Sequence, residues 1–305
     1  MSSRRGKRRS LKLPIVIGLV ALVAVAGYFI FEGSTLQSSP LIGQPASPTV
    51  LAQIADVSNT TLSQINNADI EVAAPTGTGV NSSQYLTLNG KPEVLYIGGE
   101  FCPYCGIERW SMIMALDRFG TFSGLTYMQS ESSDIYADTY TFSFLNATYT
   151  SKYIALVTVE EYDRNHNPLQ TPTSAEAALV HKYDDNPSTN GSIPFVDFGN
   201  KYILVGSQAV PSVLRVGGSA TGAPYNWTTI ASQLNTPSSK IAQAIDASAD
   251  DLIAAICDID GGQPSSLCTQ NFAQVVSYAG SPYSGQLMAP DSVFVGRAVP
   301  TRMLS

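Results

Sequence analysis

The sequence predicts an α/β domain carried behind one N-terminal transmembrane helix. Three features lead there. An uncharged apolar run, LPIVIGLVALVAVAGYFIF over Leu13–Phe31, follows a basic cluster. A short apolar stretch, Val94–Gly99, passes directly into a helical pattern. A Pro-preceded strand, Pro194–Phe198, turns through Gly199-Asn200 into a second one, Tyr202–Val205.

Residues 1–12 form a basic cytoplasmic segment. Six of the 17 Lys and Arg residues (Arg4, Arg5, Lys7, Arg8, Arg9 and Lys12) precede Glu32, the first of 24 acidic ones. At 1.5 Å per residue, residues 13–31 are just long enough to cross a hydrocarbon layer about 30 Å thick. The cluster before them holds the N-terminus inside and sends the rest outside. A retained anchor is expected over a cleaved signal peptide, because the apolar run exceeds the usual core of about 7–15 residues and no A-x-A site follows it. The expected location is therefore the cell membrane, single-pass, with the domain extracytoplasmic.

Residues 32–53, rich in Ser, Pro and Gly, read as a spacer. Residues 54–90 read as an N-terminal extension of the domain, with the folded boundary expected near Ile54. Sequons begin at Asn59, Asn81, Asn146, Asn190 and Asn226; either they are glycosylation acceptors or they arise by chance in a Ser/Thr-rich chain. Only 13% of residues are charged and the formal net charge is −7. That balance excludes a nucleic-acid partner, which needs cationic side chains to displace counterions from phosphates.

The four cysteines are Cys102, Cys105, Cys257 and Cys268. Val94–Gly99 reads as a buried strand. In CPYCGIERWSMIMALDRFG, Ile107, Trp110, Ile113, Met114 and Phe119 recur at helical spacing until Gly120 stops the helix. The C-x-x-C thus lies at a strand-to-helix junction. There the first cysteine meets unpaired N–H groups and the positive end of the helix dipole, which favour thiolate. Cys102 is the expected nucleophile, and Cys105, one turn on, the resolving thiol. Pro103 suits the first turn, and Tyr104 tunes thiolate stability and partner fit.

The motif Cys102-Pro103-Tyr104-Cys105 and its placement resemble the thioredoxin superfamily (thioredoxin, glutaredoxin and DsbA-like proteins), the tetrapeptide being identical to that of glutaredoxins. The resemblance implies a thioredoxin-like fold, a central mixed sheet flanked by helices, over residues 91–268 with an insertion at about 131–172. It implies that the helix at Thr173–Tyr183 leads to a strand preceded by a cis-proline, here Pro194, and that Ile193, Pro194, Pro103 and Tyr104 contact substrate. Leu125–Ser130 is the expected second strand, and Tyr153–Val159 a further strand within the insertion. The layout also resembles a family of membrane-tethered thioredoxin-like proteins of archaea and some bacteria, a likeness that names no substrate. Size, tether and external location depart from the glutathione-dependent relatives. The buried acid that many relatives carry six positions before the first cysteine is replaced by Tyr96. Glu100 is nearer, expected at the mouth of the site.

Cys257 closes a helical stretch, Lys240–Ile256, with Ile241, Ile245, Leu252 and Ile256 in phase, and Gly261-Gly262 and Pro264 turn the chain before Cys268. The pair is either a structural staple or a relay to Cys102–Cys105. No metal is expected: a four-cysteine site wants a second close C-x-x-C, and His166 and His181 have no ligand spacing. Glu160-Glu161 and Asp184-Asp185 read as solvated pairs, and Trp110 as core. Residues 269–305 read as a C-terminal extension.

The function expected is a thiol-disulfide oxidoreductase that needs no cofactor. It acts on thiols and disulfides of exported or surface proteins through a Cys102 mixed disulfide resolved by Cys105. Oxidase, reductase and isomerase share this architecture and differ in redox potential. The alternative is a cell-surface binding or adhesion module on the same scaffold with purely structural disulfides.

Overall fold

A computed structural model describes residues 38–67, 72–184 and 191–269. The expected span Leu13–Phe31 and the segment 270–305 lie outside the described residues. Among the described residues, no helix is long and apolar enough to cross a membrane.

In chain order the elements are α1 (Pro48–Ala55), α2 (Asn59–Asn67), β1 (Thr76–Gly77), β2 (Thr87–Leu88), β3 (Lys91–Gly98), α3 (Pro103–Leu116), β4 (Gly120–Ser123), β5 (Thr126–Gln129), β6 (Tyr140–Ser143), β7 (Thr148–Ser151), β8 (Ala155–Glu160), α4 (Ser174–Tyr183), β9 (Phe195–Phe198), β10 (Tyr202–Val205), α5 (Trp227–Gln233), α6 (Lys240–Ile259) and α7 (Ser265–Cys268). The central sheet is mixed. β3 runs parallel to β8 on one side and antiparallel to β9 on the other, followed by β10 and the short edge strand β1, while β2 forms a hairpin with the start of β3.

Alternation along β3 divides the core. Val94 and Tyr96 face one way, with Val196, Phe198 and Leu204, into a cluster that α3 and α6 cover. Leu95 and Ile97 face the other way, with Val159, Phe195 and Ile203, under Leu179, Val180 and Tyr183 of α4. A strand buried on both faces needs apolar residues at consecutive positions, which Val94–Ile97 supply. The Thr173–Tyr183 helix forms and is capped at its start, the Thr173 hydroxyl and the Glu176 carboxylate each taking the other's backbone N–H. The hairpin forms as expected: Gly199 and Asn200 both take positive φ and Lys201 N–H returns to Phe198 O.

Three boundaries differ from expectation. Residues 38–53 are not all spacer. Gly43 and Ala46 donate to Tyr127 and Leu125 carbonyls, Ser47 caps α1 with Pro48 at its first turn, and Val50 and Ile54 are buried, so the fold begins near Ser39 rather than Ile54. The extension 54–90 is woven into the sheet through β1 and β2. The insertion is also misplaced: β8, inside the expected 131–172, is the parallel neighbour of β3, whereas Thr126–Gln129 leaves the central sheet to pair with β6. The inserted part is instead the nested ribbons β4–β7 and β5–β6. β3 has five consecutive buried positions, and β8 pairs with all of them in a register that runs from Glu93 through Gly98.

Cys257 and Cys268 are bonded. Beside them, Asp258 accepts from Tyr202 Oη and pairs with Lys201, and Ile259 lies against Gly199. That is the turn end of β9; Pro194 is at the other end, roughly 16 Å away at about 3.3 Å per residue. Direct exchange with Cys102 needs sulfur contact, so this arrangement is that of a staple. Closing its short loop is worth about 3 kcal/mol on chain-entropy grounds. Replacing both cysteines by serine is expected to lower the unfolding free energy in denaturant by that amount; an unchanged midpoint would refute the staple.

Acids are buried where α3 meets α6. Asp246 is fully buried and, among the described residues, neither of its carboxyl oxygens has a partner, while Glu108 accepts Gln208 N–H at 3.0 Å and its other oxygen has none. Burial pushes Glu108 up to about 7 and Asp246 up to about 8, the latter partly offset by Arg118. Burial also raises Asp197 to about 7. A carboxyl that holds its proton more tightly folded than unfolded stabilises fully below its unfolded value near 4. It loses that contribution as pH rises through the folded value. Glu131 and Asp163, partly exposed and shifted downward, oppose this weakly. The melting temperature is expected to be at least about 5 °C higher at pH 4.5 than at pH 8.5, and scanning calorimetry across that range checks the sign.

Candidate active site

The central strand delivers the cysteines. After β3 the chain passes through Gly98 and Gly99, where side chains do not fit: a Cβ on Gly98 would lie 2.1 Å from Tyr96 Oη, and one on Gly99 would lie 2.7 Å from the Phe101 ring. Cys102 is the N-cap of α3, with extended backbone, and its Sγ accepts Cys105 N–H at 3.2 Å. Pro103 fills the first helical position, where a missing N–H leaves nothing unsatisfied. Gly106 brings β6 close: Thr141 Oγ1 donates to its carbonyl at 2.7 Å, and a Cβ there would sit 3.2 Å from Thr139.

β9 pairs with β3 so that Phe195 stands opposite Ile97, which sets Ile193 and Pro194 beside the cysteines. The Ile193–Pro194 bond is cis, and the Cys102 thiol donates to Ile193 O at 3.8 Å. The structure therefore gathers Cys102, Pro103, Cys105, Ile193 and Pro194. Tyr104, half-buried, stacks edge-on against Tyr136, and burial together with that neighbour pushes its hydroxyl up to about 12. Both cysteines are free, Cys102 at 6% exposure and Cys105 at none.

The two thiols are driven apart. Burial works against the Cys102 thiolate, but hydrogen bonds from Cys105, the Arg109 charge and Tyr104 N–H outweigh it, and the thiol falls below its ordinary value. Burial, the hydrogen bond with Cys102 and the Cys102 charge push Cys105 well above its own. A nucleophile poised as thiolate beside a partner that keeps its proton is the division of labour that stepwise exchange requires.

Beneath the pair lies a group that sequence reading did not find. Arg109, fully buried, donates Nε to Glu160 Oε1 at 3.0 Å and Nη2 to Glu160 Oε2 at 2.6 Å, and Nη2 also reaches Gly99 O at 2.8 Å. Glu160 is no solvated acid: it ends β8 level with Gly98 and accepts Phe144 N–H as well. Asp184 is likewise buried, accepting Ser192 N–H at the end of α4. Asp185 lies outside the described residues. Glu100 is buried rather than at the mouth, accepts the Ser143 hydroxyl at 2.5 Å, and is raised by burial. Tyr96, in place of the expected acid, packs edge-on against Phe144 with its hydroxyl buried and without a partner among the described residues. The i, i+4 spacing of Cys105 and Arg109 could have flagged the arginine; nothing in the sequence pairs it with Glu160.

Two loops frame the entrance. Glu131 N–H binds Phe101 O and Glu100 N–H binds Tyr162 O, while Arg164 bridges Ser130 O and Asp138. Phe101 is covered by His166, which pairs with Glu131 at 2.8 Å, and by Tyr162. Ile135, 56% exposed, continues this apolar rim beside Tyr136. The other tyrosines of the insertion stay clear of the cysteines: Tyr140 packs on Trp227 and Tyr149 bonds Leu116 O. Trp110 is core, its Nε1 bonded to Tyr140 O. Among the described residues, no three His, Cys, Asp or Glu side chains cluster as a metal site would need.

The profile of a family described as a domain of unknown function (DUF929) matches residues 80–258. No curated protein and no solved structure matches the chain. The matched span begins before β3 and ends within α6, so it holds both cysteines, Arg109, Glu160 and Pro194 but not Cys268.

In the reduced full-length chain at pH 7, iodoacetamide is expected to modify Cys102 at least about tenfold faster than Cys105. Peptide mass mapping over a time course measures the ratio, and equal rates would contradict the division between the two thiols.

Proposed function

Because the chain belongs to the family described as a domain of unknown function (DUF929), its chemistry is read from its own side chains, and we propose that it is a thiol-disulfide oxidoreductase on a thioredoxin-like scaffold. The observation that carries this reading is Cys102 at the N-cap of α3, its sulfur holding the Cys105 N–H and facing the Ile193 carbonyl beside Pro194.

The Cys102 thiolate attacks one sulfur of a substrate disulfide. A Cys102–substrate bond forms, the substrate S–S bond breaks, and the second substrate sulfur leaves as a thiolate that takes a proton. Cys105 then loses its proton and attacks Cys102 Sγ. The Cys102–Cys105 disulfide forms, and the substrate leaves with two electrons and two protons gained. Run backwards, the same steps oxidise a dithiol. A second dithiol or disulfide couple resets the protein in either direction. The half-buried Tyr104 and the rim of Phe101, Tyr162 and Ile135 offer apolar surface to a protein substrate. The span Leu13–Phe31 and the basic cluster before it support a membrane anchor with the domain outside the cytoplasm, where exported proteins form disulfides.

The purified full-length chain is expected to reduce insulin with a dithiol as donor, or to oxidise a reduced peptide when supplied as the disulfide. Cys102→Ser should abolish both activities, and Cys105→Ser should accumulate mixed disulfides that Cys102→Ser does not. If the wild-type chain does neither and Cys102 resists alkylation after mild reduction, the reading is lost.

A further inference from the structure

Cys102, Cys105 and Arg109 stand at i, i+3 and i+7 on one face of α3. Helical side chains lean toward the N-terminus, so Arg109 reaches back under the cysteines. Its Nη2 is bonded to Gly99 O, in the turn just before Cys102. Glu160 approaches Arg109 from the end of β8 and engages it through Nε and Nη2. Arg109 Nη1 is buried with no partner among the described residues, so the carboxylate does not use up all the donors of the cation.

We propose that Arg109 is the fixed cation that stabilises the Cys102 thiolate, and that Glu160 is the positioning residue that orients it and partly offsets its charge. The proposal rests on the exchange reading above and names its electrostatic source. A purely structural alternative exists, since the pair also fastens α3 to β8. The two differ in sign. As a clamp, loss of either partner loosens the site in the same direction. As a charge source, loss of Arg109 and loss of the Glu160 charge act oppositely on Cys102. The other titratable groups beside the sulfurs or the ion pair, Tyr96 on β3, Tyr104 on α3 and Glu100 in the turn, are common to every variant below.

The test is the pH profile of Cys102 alkylation in the full-length reduced chain, with each rate at pH 6 referred to its own high-pH plateau. Relative to wild type, Arg109→Met is expected to fall about tenfold and Glu160→Gln to rise about threefold, with Arg109→Lys recovering most of the loss. If Arg109→Met does not fold, the double variant Arg109→Met/Glu160→Leu, which leaves no unpaired buried charge, carries the same test and is also expected to fall. Shifts in one direction for Glu160→Gln and the arginine variants, or no shift in any, overturn the proposal. If wild-type Cys102 itself alkylates no faster at pH 6 than an ordinary thiol, the exchange reading fails instead.

Discussion

Arg109 has no exposed surface, and a guanidinium taken out of water has to be answered inside the fold. The idealised cost of moving one such charge into a dry interior is of order 20 kcal/mol, and removing one partner of a buried pair typically costs about 3–5 kcal/mol. Much of the architecture follows from meeting that demand. The end of β8 has to lie beside Gly98 so that Glu160 can accept from two guanidinium nitrogens. Gly99 has to turn its carbonyl inward, which shapes the turn into α3. The chain after β6 brings Phe144 N–H to the same carboxylate. One ion pair therefore fixes the helix bearing the cysteines, the strand parallel to β3, the turn between them and the root of the inserted ribbons.

Those ribbons are the second support of the site. Their aromatic rings pack on the helix from the side opposite α6, with Trp110 against Phe142 and Tyr96 against Phe144, and Trp227 closes the outer edge on Tyr127 and Tyr140. Trp110 and Trp227 each donate their indole N–H to a backbone carbonyl of the inserted strands, to Tyr140 and Thr141, so neither indole N–H is left unpaired in the packing. Because Gly106 follows Cys105, β6 can lie directly on the first turn of α3. The turn that holds the two sulfurs is thus pressed between a sheet and a ribbon, which keeps Cys105 dry while Cys102 retains a narrow exposure.

Burial of acids sets a second constraint, at the far side of the same helix. A chain with only 13% charged residues nonetheless places Glu108, Asp246, Asp250 and Asp251 in the α3–α6 interface. For Glu108 and Asp246, short of donors among the described residues, the carboxylate is less stable than the carboxylic acid, so both keep their protons to near-neutral pH. The helix pair is accordingly a structure for acid rather than alkali. At the other end of α6 the Cys257–Cys268 bond ties the helix to α7 and the Lys201–Asp258 pair ties it to the β9–β10 turn, remote from the cysteines of α3.

The sequence alone determined the local pieces, because each rests on neighbours a few residues apart. The apolar run before Cys102, the proline after it and the helical spacing to Phe119 place the thiols at a strand-to-helix junction. Thr173 and Glu176 cap α4, and Gly199-Asn200 makes the hairpin turn that brings Pro194 back toward the site. Only the tertiary structure decided what those pieces meet. Glu160 joins Arg109 across 51 positions, and in sequence it looks like one of two adjacent surface acids. Residues 39–53 look like linker because their Ser and Pro content is the same whether those residues cap a helix or span a gap. Leu125–Ser130 follows β3 as the expected second strand, yet its residues pair with β6 and β8 takes the place beside β3. Pairing of strands and of buried charges is settled by which partners can satisfy every backbone bond and every charge at once, and that condition is written in no single stretch of sequence.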